Sequence, residues 1–202
     1  MSVTETDRGD VTLPEGYIAT YSGRTINPME PELDAIVIED IAHALSNQCR
    51  FTGHVATFYS VAEHSVRCAL ELLEKDFYSE NADEWNSARE LKLMKWALLH
   101  DASEAYLSDI ARPVKNALGL GEVYKRAEAG LMVSICQKFD LPWPMPEEIK
   151  RVDDTLLRTE QRDLMPLGRI PGDEYAANPI TETWTPTEAR DQFLKLADEL
   201  IY

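Results

Sequence analysis

Apolar residues recur at α-helical spacing in one segment after another of this 202-residue chain, and three of those segments carry metal-binding side chains on or at the end of the apolar face. The run Leu93-Met94-Lys95-Trp96-Ala97-Leu98-Leu99 ends in the adjacent pair His100-Asp101, where an inward-pointing helix delivers both groups to the interior. Upstream, Ser60-Val61-Ala62-Glu63 reads as a capping box, which places His64 in the first turn of a helix on one face with Val61, Cys68 and Leu72. Downstream, Ile149, Val152, Asp153, Leu156, Leu157 and Glu160 share a face, whereas Asp154 lies off it and can pair with Arg158 at i+4. The pattern demands helices packed on helices, and it lets His64, His100, Asp101 and Asp153 converge on one divalent metal.

The remaining segments support an all-α reading. Ile38, Ile41, Ala42 and Leu45 mark a helix that ends at Asn47-Gln48. A second capping box, Ser87-Ala88-Arg89-Glu90, opens the helix that leads to His100. Val123, Ala127, Leu131 and Ile135 mark another, closed by the proline-rich Pro142 to Pro146, with Pro146 expected at the first position of the next. Thr185-Pro186-Thr187-Glu188 starts a final helix with Phe193, Leu194, Ala197 and Leu200 inside. Tyr17 to Ile26 has β-formers on both sides of Ser22-Gly23 and can form a short N-terminal hairpin, which is marginal unless it packs on helices. Residues 1–13 read as a flexible acidic leader, and 166–184, rich in Pro, Gly and Asn, as a long connection that can serve as a lid or an oligomer contact.

Composition narrows the class. With 44% hydrophobic residues the chain can bury one substantial core, so a single domain over residues 14–202 is expected. Twenty Lys+Arg against 36 Asp+Glu give a net charge of -16, which argues against a nucleic-acid partner. No run approaches the roughly 20 apolar residues that span a bilayer, so a cytoplasmic protein without a membrane partner is expected. Cys49, Cys68 and Cys136 are widely spaced and odd in number, and read as reduced core thiols.

Two His with two Asp leave open positions on a metal for water and a substrate oxygen, the arrangement of a hydrolase, and suit one divalent transition metal: Mn, Co, Fe, Ni or Zn. Glu104 follows His100 by four residues and Asp101 by three; if the helix continues, all three project from one side and Glu104 can orient a water or move its proton. Asp109 can reach a substrate hydroxyl, and Lys115 and Arg50 can neutralise phosphate oxygens. Each also has a plainer reading: His64 as a hydrogen-bonded core histidine, His100-Asp101 as a helix end, Asp153 as the partner of a buried Arg, Arg50 as a surface charge. Convergence favours the metal, because three inward polar groups are expensive to bury without a common partner. His54, in Thr52-Gly53-His54, can contact a phosphate or donate a proton, or simply sit at a surface; His43 lies off its helix's stripe and is expected in solvent.

Phe58-Tyr59-Ser60-Val61-Ala62-Glu63-His64-Ser65, Leu98 to Ala105, Asp109 to Lys115 and Val152-Asp153 together resemble the HD-domain phosphohydrolases. The match is to the small single-domain branch that includes 5'-deoxynucleotidases and bacteriophage deoxynucleoside triphosphohydrolases, over roughly residues 36–165. The resemblance implies an HD-type helical bundle with His64, His100, Asp101 and Asp153 on the metal, Glu104 beside the attacking water, Arg50 on phosphate and Asp109 near the sugar 3'-hydroxyl. Deoxynucleotidases carry an Arg-Trp pair whose Trp blocks a 2'-hydroxyl; here the pair is Arg50-Phe51.

The expected activity is metal-dependent cleavage of the 5'-phosphate ester of a small (deoxy)nucleotide. A homo-oligomer is implied, located in the host cytoplasm if the chain is bacteriophage-encoded. A triphosphate substrate would need further cations, for which Arg24, Arg112 and Lys125 are candidates. The rivals are a non-catalytic nucleotide-binding regulatory protein of the same type and a phosphodiesterase acting on a cyclic or oligonucleotide substrate.

Overall fold

The hairpin forms and is held from below. β1 (Ile18–Ala19) pairs antiparallel with β2 (Thr25–Ile26), Ile18 opposite Ile26, and the turn closes through Gly23 at φ +82°, a conformation that glycine adopts without strain. Two strands of two residues cannot hold themselves. The buried Asp40 carboxylate accepts from the backbone N–H of Ser22 at 2.6 Å and from its hydroxyl at 2.8 Å, fastening the turn to the first helix. Tyr21 stacks on His43 with ring centroids 3.7 Å apart, so His43 is half-buried under the hairpin rather than solvated. The apolar stripe could not reveal this, because the covering ring arrives from the hairpin.

The computed structural model describes residues 12–73, 87–166, 175, 176 and 178–202. Nearly all of the expected leader, much of the 166–184 connection and the Ser87 side chain lie outside the described residues. Beyond the hairpin the elements are helical: α1 (Ile38–Ser46), α2 (Val61–Glu71), α3 (Ser87–Leu99), α4 (Glu104–Leu107), α5 (Arg112–Lys115), α6 (Leu120–Lys138), α7 (Glu147–Leu164) and α8 (Pro186–Ile201). The fold is all-α with a short N-terminal β-hairpin. No helix among the described residues is long and apolar enough to cross a membrane.

α2 lies at the centre, packed on α3, α7 and α8, while α1 packs on α8, α4 and α2. The expected stripes fill the core. Ile41, Leu45, Trp96, Leu98, Leu99, Ile135 and Phe193 are almost completely buried, and each such aliphatic or Phe side chain contributes about 1.5–3 kcal/mol. Ser60 caps α2 by accepting from Glu63 N–H at 3.1 Å, but the Glu63 carboxylate turns away from the box. It binds Arg67 at 2.7 Å and the backbone N–H of Trp184 at 2.9 Å, tying the segment before α8 to α2. At α8 the full box forms, Thr185 and Glu188 bonding reciprocally.

Two local expectations change. Val123 is exposed, and the buried face of α6 runs instead through Gly121 and Tyr124, whose hydroxyl donates to the Ser108 carbonyl at 2.7 Å and draws that side of the helix inward. Pro146 is the N-cap of α7, its ψ of 147° keeping it extended ahead of the first helical residue. Asp154 meets Arg112 of α5 at 3.9 Å, a partner that the fold supplies. All three cysteines are free; Cys68 and Cys136 are buried and Cys49 is partly exposed.

Candidate metal centre

Three helices deliver the centre. His64 sits in the first turn of α2, His100 and Asp101 follow α3, and Asp153 faces them from the middle of α7. α3 does not continue through the pair as expected. The His100 ring approaches the Ala97 carbonyl through Nδ1 at 2.7 Å, the acceptor that a continuing helix would offer to Asp101, and the chain tightens into i→i+3 turns before α4. Glu104 therefore starts a new short helix, its N–H bonded to the Asp101 carbonyl at 2.9 Å.

His64 Nε2 lies 3.3 Å from His100 Nε2, 3.2 Å from Asp153 Oδ1 and 3.9 Å from Asp101 Oδ2. His100 Nε2 lies 3.3 Å from Asp101 Oδ2 and 4.0 Å from Asp153 Oδ1. Donors held about 2.1 Å from one ion are separated by about 3.0 Å at a right angle and about 3.4 Å at the tetrahedral angle. Cys68 is close as well: His64, Cys68 and His100 form a group whose donor atoms all lie within 4.8 Å and could hold a metal ion. The Cys68 Sγ, however, is 3.5 Å from His64 Nε2 and 3.9 Å from Nδ1, so it packs against the ring between its two nitrogens.

Both imidazoles have their Nδ1 committed. His100 donates to Ala97, and His64 Nδ1 meets Glu160 Oε1, so each ring can point an Nε2 lone pair at the other and at two carboxylates. Burial works against protonating either ring, and at His64 so does Arg50. Cys68, Glu160 and Asp153 around His64, and Asp101 and Asp153 around His100, outweigh that and hold both above their ordinary range. Burial likewise opposes ionisation of Asp101, but His100, His64 and Arg50 hold it well below the usual carboxylate range. Acceptors crowded this closely favour a positive charge among them.

Behind the histidine lies a buried carboxylate to which the sequence reading gave no role. Glu160 is fully buried; its Oε1 accepts from Tyr59 at 3.0 Å as well as meeting His64, and its Oε2 accepts from Arg50 Nε at 3.1 Å. Its signal was its place on the Asp153 face, seven residues on. Arg50 also approaches Asp101 Oδ2 through Nη1 at 3.5 Å, so it is no surface charge but a bridge between two acids.

The centre opens into a cavity of about 1130 Å³ whose wall includes Arg50, Phe51, His54, Glu104, Asp109 and Lys115. Phe51, Thr52 and Gly53 all have positive φ, a strained turn that sets Phe51 beside the Arg50 guanidinium. His54 is exposed at the rim. Gln48 donates to the Glu104 carbonyl and accepts from Asp109 N–H, both at 2.9 Å, and so fixes the segment carrying both acids. Lys115 binds Glu104 Oε1 at 2.8 Å and Glu128 at 3.0 Å. The other Glu104 oxygen is buried without a hydrogen-bond partner among the described residues. Burial, then Asp101, pushes this carboxyl up to about 8 against the pull of Lys115. Arg112, Lys125 and Lys150 also line the cavity. Arg24 stays with the hairpin, donating to the Asp34 carbonyl at 3.3 Å.

No family model matches the chain. It is 40% identical over 148 residues to the uncharacterized protein YfdR of Escherichia coli, covering 73% of this chain and 72% of YfdR. It is 38% identical over 135 residues to the uncharacterized protein RCAP_rcc00048 of Rhodobacter capsulatus, covering 64% of this chain and 61% of that protein. At that identity and coverage, the chain belongs to the same family as YfdR.

Proposed function

We propose that this protein is a metal-dependent phosphohydrolase of the HD type that cleaves the 5'-phosphate ester of a small (deoxy)nucleotide. One observation carries the reading: two Nε2 atoms with committed Nδ1 partners converge with oxygens of Asp101 and Asp153, two acids that line a cavity together with Arg50 and Glu104. His64, His100, Asp101 and Asp153 would hold the ion, and their mixed nitrogen and oxygen donors fit Mn, Fe, Co, Ni or Zn. Cys68, seated against the ring, stays outside that set. Bound there, such a metal would bring the pKa of water toward neutrality and offset charge on a phosphoryl oxygen.

The chain's own groups do the rest. Arg50, held between Glu160 and Asp101, offers its guanidinium to phosphate oxygens. Glu104, pushed up to about 8, can exchange a proton in the neutral range, which suits a group that takes a proton from the nucleophile or returns one to the leaving 5'-oxygen. Asp109, fixed through its backbone by Gln48, would accept from a sugar hydroxyl, and Phe51 would pack beside the ribose. Lys115 holds Glu104 in place and adds positive charge to the wall. Arg112, Lys125 and Lys150 leave room for more than one phosphate.

Metal-stripped protein, given Mn, Co, Zn or Mg in turn, is expected to release phosphate or triphosphate from members of a panel of deoxy- and ribonucleoside mono-, di- and triphosphates. His100→Ala and Glu104→Ala should each abolish turnover. Nucleotide binding that survives Glu104→Ala, with no turnover in the parent under any metal, would reassign the protein to the non-catalytic binding reading.

A further inference from the structure

We propose that Glu160 is the positioning residue of this centre, a single carboxylate that aims His64 Nε2 at the metal position and Arg50 at the cavity, and thereby couples cation binding to anion binding. The inference rests on the reading of His64, His100, Asp101 and Asp153 as metal ligands. Glu160 lies two turns beyond Asp153 on the same face of α7, fully buried, with donors on both oxygens: His64 Nδ1 and Tyr59 on Oε1, Arg50 Nε on Oε2. The first contact fixes the His64 tautomer and leaves Nε2 free for an ion. The second neutralises a guanidinium that would otherwise repel a dication. Arg50 then closes the ring of contacts, because its Nη1 faces Asp101, itself a proposed ligand. Its backbone leads into the strained turn that lines the cavity and is tied to it by Gly53 N–H, which donates to the Arg50 carbonyl at 3.1 Å.

Glu160→Gln tests this with little change in shape. The amide has one oxygen, so its NH₂ must face a donor, either Arg50 Nε–H or His64 Nδ1–H. Zinc affinity would be measured on the metal-stripped full chain by chelator competition, with and without inorganic phosphate. In the parent, phosphate should tighten zinc, and zinc should tighten phosphate by the same factor. In Glu160→Gln, zinc should bind about tenfold to a hundredfold more weakly and the phosphate coupling should vanish. Arg50→Lys, which keeps the charge but not the fork, should retain most zinc affinity and lose the coupling. A Glu160 of purely structural value would lower the unfolding midpoint of the metal-free protein and leave the coupling intact, which would overturn the proposal. The parent alone supplies a check that needs no variant to fold: long-range ¹H–¹⁵N correlations of the zinc-loaded chain should show a proton on His64 Nδ1, and zinc on that nitrogen would overturn the assignment. A parent that binds no zinc would instead overturn the metal reading itself, an outcome distinct from a zinc-binding parent whose Glu160→Gln variant is indifferent.

Discussion

Glu104 is a residue whose ordinary chemistry burial changes. Its folded value of about 8 lies above the ordinary 4.5, so the folded metal-free protein keeps a proton there that the unfolded chain releases. The stability that this proton confers is fully present below about pH 4.5 and is lost as pH rises through about 8. The urea midpoint of metal-free protein should fall across that interval, and less steeply in Glu104→Gln; equal slopes would place the titration elsewhere. The thiols give a second test at the same scale. Burial pushes Cys68 and Cys136 up to about 11, whereas Cys49 is partly exposed beside the bridge to Ser60. At neutral pH a thiol reagent should therefore modify Cys49 in the folded protein and reach the other two only on unfolding. Fast modification of Cys136 would contradict the packing of α6.

Among the elements, the short ones depend on single contacts. Asp40→Ala removes the acceptor of two Ser22 bonds under the hairpin and should cost about 1–3 kcal/mol in urea unfolding, with loss of the Tyr21–His43 stack. Gly121 lets α5 and α6 meet: a Cβ there would lie 2.3 Å from the Lys115 carbonyl oxygen, a contact no real side chain tolerates. Gly121→Ala should therefore displace α5 and pull Lys115 from Glu104, and on the proposed function it should lower turnover although the residue touches no substrate. These elements also mark what the sequence could disclose. His64 and Asp153 were legible because helical periodicity assigns a side chain to a face, and a buried face of α2 must meet another element. The end of α3 at Leu99 was not, since it turns on a ring nitrogen taking a backbone carbonyl. Nor was the left-handed Phe51-Thr52-Gly53 turn, in which two of three residues are types that rarely adopt positive φ. Glu160 stood in plain view on the α7 face, but its function exists only through Arg50 and Tyr59, about a hundred residues away along the chain.

At the scale of the whole molecule, a net charge of -16 means that acids repel one another across the structure, and added salt should stabilise the metal-free protein by screening them. At the centre, Asp101, Asp153 and Glu160 gather around His64 and His100, where Arg50 and protons on the imidazoles offset their mutual repulsion. A dication there would replace those protons and join α2, the turn after α3, and α7, so the proposed metal should act as a clamp as well as a reagent. At about a hundredfold excess over its dissociation constant, a ligand specific for the folded state adds about 2.7 kcal/mol. For a domain of about 200 residues that corresponds to a Tm increase of about 5–10 °C. The increase should grow with metal concentration, reverse with chelator and disappear in His100→Ala. It should survive in Glu104→Ala, because Glu104 faces the cavity and lies outside the proposed ligand set. A clamp that persisted in His100→Ala would place the cation elsewhere, and one lost in Glu104→Ala would make that carboxylate a ligand rather than the group that handles the proton.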